Sequence, residues 1–85
     1  MTKNKSELIM SKRLINKLEK CEIHSLEELR NIGSRTAFSK LLLVDRSASL
    51  NTLYALEGAI RGVRWHQLND QVKNDLKLFY KSIKS

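Results

Sequence analysis

The stretch from Leu53 to Leu68, Leu-Tyr-Ala-Leu-Glu-Gly-Ala-Ile-Arg-Gly-Val-Arg-Trp-His-Gln-Leu, constrains the fold more than any other. At about 100° per residue, Leu53, Leu56 and Ile60 fall within one narrow arc of a helix, an ordinary core stripe. Ala55, Gly58, Ala59 and Gly62 gather on a different side. A glycine inside a helix costs roughly 1 kcal/mol relative to alanine. Gly58 therefore implies that a neighbouring helix passes close to the backbone. Glu57 and Arg61 stand at i and i+4 in the favourable order, a pairing that adds a few tenths of a kcal/mol. Gly62 can adopt a positive φ and close the helix. Trp65 then has two readings: a cover over the end of the core, or an exposed platform on which a base or a partner stacks.

A chain of 85 residues makes one small domain, with the first five residues expected to be flexible. Its 41% hydrophobic content suffices for one compact core and for no deep substrate cavity. No run of about 18 apolar residues exists to span a membrane. The N-terminus carries basic residues but no apolar segment or cleavage site follows, so a cytoplasmic location is expected. The single cysteine, Cys21, allows no internal disulfide and reads as a structural thiol near a helix end. The net charge of +7 favours an anionic partner: nucleic acid first, an acidic protein second, an anionic membrane surface third.

With no proline and no alternating strand pattern, the chain reads as all-α. Ser6 can cap a first helix whose stripe is Met10, Leu14, Ile15, Leu18 and Cys21. Lys12, Arg13, Lys17 and Lys20 lie outside that stripe, as a solvated face or a phosphate-tracking one. Ser-Leu-Glu-Glu from Ser25 to Glu28 is a capping box, with Ile23 and Leu29 placed for a hydrophobic staple. Asn31-Ile32-Gly33 ends this helix, and Ser34 restarts one at once, forming a hairpin of two helices. Ala37, Phe38, Leu41, Leu42 and Val44 give the second of these a wide apolar surface.

Two features suggest phosphate contact. The helix start at Ser34 offers free N–H groups beside Gly33, with Arg35 in the first turn; the alternative is that Gly33 simply turns the chain. The last helix, capped by Asn69 or Asp70, carries Val72, Leu76, Phe79 and Ile83 inward. Lys73, Lys77, Lys81 and Lys84 form a second arc with no acidic residue among them. Leu78 points away from the core stripe, as an ordinary exposed leucine or as one edge of a self-association patch. Ser47 or Ser49 caps the central helix.

Catalytic and metal chemistry find little support. His24 and His66 sit in different connectors with no cysteine at ligand spacing. There is no Gly-x-x-x-x-Gly-Lys-Ser/Thr run. Glu27 and Glu28 diverge by about 100° on a helix and do not converge as an acid–base pair. Neither an enzymatic activity nor a cofactor is expected.

The run Leu53-Tyr54-Ala55-Leu56-Glu57-Gly58-Ala59-Ile60, with Gly62, Trp65 and Leu68, resembles the C-terminal domain of the TfoX/Sxy family of bacterial competence regulators. Upstream, Leu14, Leu18, Ile23, Ser25, Leu26, Glu27, Leu29, Gly33, Ala37 and Leu41 are similar to that family's leucine-rich helical hairpins. Lys73 and Leu76 fit its last helix. The resemblance covers roughly residues 8 to 80 and takes the form of the domain standing alone. It implies an all-helical domain of the helix-hairpin-helix kind, transcriptional control of natural competence alongside a catabolite activator protein, and possible DNA contact rather than catalysis. Two departures weaken the first hairpin. Glu7 to Ser11 replace a Leu-Pro-Asn-Ile-Gly-like turn, and Glu22 stands where the family has glycine.

The expectation is thus a compact all-α bundle of about five short helices, arranged like helix-hairpin-helix modules. Its function is expected to be non-enzymatic regulation with DNA bound through phosphates. Gly33, Ser34, Arg35, Arg61, Arg64, Lys73, Lys77, Lys81 and Lys84 are the candidate contacts. The alternative is a protein-interaction module, contacting a transcription factor or other regulatory protein, or a second copy of itself through the Gly58 face and Leu78.

Overall fold

Apolar residues recur at helical spacing along the whole chain, and the computed structural model, which describes residues 12–84, follows that spacing. The order is α1 (Lys12–Lys20), α2 (Leu26–Val44), α3 (Leu50–Arg61), a 3₁₀ turn (Trp65–Gln67) and α4 (Asp70–Lys84). No strand occurs among the described residues. The expected cap at Ser6, the stripe residue Met10, the flexible residues 1–5 and the departure at Glu7 to Ser11 lie outside them.

Among the described residues there are four helices, against the expected total of about five, and α2 is two helical segments that meet at Gly33. The hairpin reading placed two helices around it. Both are present as the two halves of α2, which abut at Gly33, the one non-helical residue of the run, with φ 85° and ψ 160°. This conformation is almost confined to glycine. It differs from the left-handed helix end expected there: the positive φ is present, but ψ is extended. The chain kinks at Gly33 and resumes helix at Ser34 with no loop between.

Helix ends follow local chemistry. Ser25 Oγ accepts from Glu28 N–H at 3.0 Å, as the capping box requires. The Glu28 carboxylate reaches back one residue further than expected and accepts from His24 N–H at 2.6 Å. Ile23 and Leu29, the staple residues, are both buried. Ser49 stands at the N-cap of α3. Asn69 caps α4, its Oδ1 accepting from Val72 N–H at 2.9 Å. Gly62, with φ 77° and ψ 25°, closes α3.

Leu29, Phe38, Leu41, Leu53, Leu56 and Leu76 are the largest fully buried side chains. They come from α2, α3 and α4, each burial being worth about 1.5–3 kcal/mol. Leu14 and Leu18 bring α1 onto the same core. Phe38 and Tyr80 meet as a tilted pair with centroids 5.9 Å apart. The apolar surface expected at the end of α2 is narrower than the sequence suggested: Val44 is 49% exposed.

Gly58 has a packing reason, though not the one expected. The close neighbour is no helix but the chain's own return after Gly62. A Cβ built on Gly58 would lie 2.6 Å from Val63 O and 3.2 Å from Trp65 N. The small side of α3 is thus the bed of the turn that carries Trp65.

Two polar links tie distant segments. The Lys17 ammonium on α1 pairs with Asp45 Oδ2 just beyond α2, at 2.5 Å. With the Ser47 hydroxyl donating to the other oxygen at 2.6 Å, this holds the Asp45 carboxyl down at about 2. Arg30 Nε donates to Ile60 O at 3.2 Å, setting a positive charge against the C-terminal end of α3, where the helix dipole favours it.

Candidate functional site

The four lysines of α4 share one arc because their spacing repeats the helix turn, but the structure gives them different tasks. Lys73 donates to His66 O at 3.4 Å, and its ammonium lies 5.6 Å from the Trp65 ring centroid. Lys84 donates to Arg46 O at 3.0 Å and to Ala48 O at 3.4 Å, fastening the end of α4 to the loop before α3. Its ammonium also lies over the Tyr80 ring. Lys77 and Lys81 are exposed, with no hydrogen bond or ion pair to any described residue. Those two are the uncommitted charges of the arc.

The corner at Gly33 is differently equipped. Ser34 is 3% exposed, and its hydroxyl donates to Glu57 Oε1 at 2.5 Å. Glu57 Oε2 takes Arg61 Nε at 2.5 Å, the i, i+4 pair that the sequence predicts. Burial pushes the Glu57 carboxyl up, but the Ser34 and Arg61 bonds and the nearby Arg35 outweigh it and hold it below its ordinary value. Arg35 also lies over the Phe79 ring at 5.8 Å. A carboxylate from α3 therefore already occupies this corner, and it neutralises Arg61. Ser34 offers no hydroxyl to the outside. A phosphate approaching here would meet that carboxylate, whereas none is paired with Lys77 or Lys81.

Trp65 is both structural and exposed. Its ring stacks on Tyr54 at 6.2 Å and 14°, and His66 meets it edge-on at 5.7 Å. Tyr54 OH in turn donates to Lys73 O at 3.3 Å. Yet 41% of Trp65 stays open to solvent. Arg64, beside it, opens onto a groove of about 380 Å³ that it shares with Arg13 and Lys17 of α1. Sequence reasoning treated the charges of α1 and those near Trp65 separately. Nothing local in the sequence signals that they meet across 51 residues.

Cys21 is half-buried, and its thiol donates to Lys17 O at 3.4 Å. Burial pushes the thiol pKa up, with a smaller opposing effect from Lys40. That is the setting of a packed thiol and not of an activated nucleophile. Among the described residues no group of three or more His, Cys, Asp or Glu is placed to hold a metal ion. No helix among them is long and apolar enough to cross a membrane.

The comparisons with known proteins agree on family and fold. Residues 8–80 match the TfoX C-terminal domain. A crystal structure of an uncharacterized protein from Listeria monocytogenes, in a triclinic form, superposes with a TM-score of 0.88 at 39% identity, covering 91% of this chain and 88% of that one. A tetragonal form of a protein of unknown function from the same organism gives a TM-score of 0.88 at 42% identity, covering 94% and 99%. No protein with a curated description matches.

Proposed function

The chain belongs to the TfoX C-terminal domain family, and from that membership we propose that it is a non-enzymatic regulatory module that contacts DNA through phosphates. The observation that carries this reading is the pair Lys77 and Lys81. Both are exposed and unpaired among the described residues, on a helix face that Lys73 and Lys84 extend. A net charge of +7 supplies the long-range attraction. Phosphate contacts position a protein on a duplex and carry no sequence information, so binding is weakly selective.

The likeness to helix-hairpin-helix modules belongs to this reading and rests on the kink at Gly33. The Glu57 carboxylate beside Ser34 makes that corner the weaker contact, so the lysine face leads.

A titration of labelled duplex DNA at about 50 and 200 mM salt tests the proposal. Affinity is expected to fall steeply between the two, since each neutralised phosphate releases counterions. Absence of binding at the lower salt, or affinity unchanged between them, overturns it.

A second reading, an interaction module or homodimer, draws on a different surface. Leu43 is 84% exposed and Leu78 59% exposed. Leu43 adjoins Leu42 and Ile83 in an open groove of about 610 Å³. The Gly58 face no longer supports this reading, because the turn at Val63 fills it. Light scattering after size exclusion, on the native chain and on Leu43→Asp and Leu78→Asp, decides it; a monomer throughout with no partner captured counts against it.

A further inference from the structure

Among the described residues, the groove between α1, the start of α3 and the 3₁₀ turn is lined by charges of one sign, all cations. Arg13, Lys17, Arg64, Asn51, Thr52 and Trp65 line it, and no carboxylate does. The ammonium of Lys17 is held by Asp45. The guanidinium groups of Arg13 and Arg64 are not held by any described residue, and both residues are exposed. The groove therefore combines two planar cations unpaired among the described residues, Trp65, which is 41% exposed beside its stack on Tyr54, and an amide and a hydroxyl able to meet base edges.

We propose that this groove takes an unpaired nucleotide of single-stranded DNA, with the phosphate between Arg13 and Arg64 and the base against Trp65. Guanidinium groups match phosphate geometry in two-pronged pairs. Bases inside a duplex expose only their edges, so stacking on an aromatic ring requires an unpaired base. A space of about 380 Å³ has room for a nucleotide. The inference rests on the nucleic-acid reading above and extends it. Lys73, the first lysine of the α4 face, has its ammonium over Trp65, so Trp65 is shared between that face and the groove.

The experiment compares a labelled 15-nucleotide oligothymidylate with a duplex of equal length, at one salt concentration. It reads anisotropy and the fluorescence of Trp65, the only tryptophan of the chain. The single strand is expected to bind more tightly and to quench Trp65. Trp65→Ala should weaken single-strand binding about tenfold, the scale of one stacked base, with Trp65→Phe retaining most of it. Arg13→Glu, a change at an exposed side chain, should weaken single-strand binding without altering the circular dichroism. Should Trp65→Ala fail to fold, Trp65→Phe and Arg13→Glu carry the test. Equal affinity for both forms with Trp65 fluorescence unchanged overturns the groove assignment, as does a folded Arg13→Glu that binds the single strand like the parent. If duplex binding then persists and depends on Lys77 and Lys81, only the groove assignment has failed. If neither nucleic acid binds, both readings have.

Discussion

Glu22 and Gly62 hold the same place at the ends of two different helices, with φ of 66° and 77°. After α1, Ile23 N–H donates to Leu18 O and Glu22 N–H to Glu19 O. After α3, Val63 N–H donates to Gly58 O and Gly62 N–H to Ala59 O. Both ends are the paired pattern of a Schellman motif, which glycine usually closes. Glu22 is the non-glycine residue with positive φ among the described residues, and it keeps the conformation that glycine serves. A side chain in the left-handed region costs about 1–2 kcal/mol, part of which glycine forfeits through its freer unfolded state. Glu22→Gly is therefore expected to raise the unfolding free energy by about 0.5–1 kcal/mol, and Gly62→Ala to lower it by a similar amount. Urea midpoints measure both; a lower midpoint for Glu22→Gly would contradict the strain argument.

Gly58→Ala sets helix propensity against packing. Propensity favours alanine by about 1 kcal/mol in a helix interior. The new Cβ, however, would stand 2.6 Å from a backbone carbonyl, Val63 O, and 3.2 Å from Trp65 N. Backbone cannot rotate aside as a flexible side chain can, and overpacking costs about 1–3 kcal/mol. Net destabilisation of about 1–2 kcal/mol is expected, with a shift in Trp65 emission because the turn that carries the indole must move. A variant as stable as the parent would show that the turn yields freely.

How much of this was legible in the sequence depended on range. Every apolar stripe follows a 3.6-residue period, and the burial of Leu14, Leu18, Leu53, Leu56 and Leu76 matches it. The caps at Ser25 and Asn69 and the stop at Gly62 are chemistry within four residues. The Ser34–Glu57 bond spans 23 residues and the Lys17–Asp45 pair spans 28, and no periodicity encodes such distances. For the same reason the free N–H corner read from Gly33 and Ser34 missed the carboxylate that α3 brings to it. The groove uniting Arg13 with Arg64 depends on contacts of the same long range. Gly58 was legible as a close approach but not as to what approaches. Val44 failed because an apolar residue near a helix end can face solvent once the partner helix has stopped.

Asp45 makes stability depend on acid. Its carboxyl is held at about 2, below the ordinary 3.8, by the Lys17 and Ser47 hydrogen bonds. The unfolded chain therefore binds this proton more readily than the folded one. The resulting stabilisation is complete above the ordinary value and is lost as pH falls from about 4 through about 2. Asp45→Asn lacks this dependence. It should melt below the parent at about pH 5, and the gap should narrow by about pH 2.5. A gap that stays constant between the two would mean that the Lys17 pair contributes nothing on folding.

Lys77 and Lys81 allow a test of function that leaves the fold untouched. Both are exposed and make no hydrogen bond or ion pair with a described residue, so truncating them removes charge and little packing. Surface changes of this kind shift stability by no more than about 0.5 kcal/mol. If each ammonium neutralises one phosphate, Lys77→Ala with Lys81→Ala should lower the slope of log affinity against log salt by about 1.8 on duplex DNA. The loss should be the same for unrelated sequences, because phosphates are common to all of them. Lys84→Ala behaves differently: its ammonium is bound to Arg46 O and Ala48 O, so thermal stability should fall more than the salt slope does. Slopes that do not change in the double variant would move the DNA contact off α4.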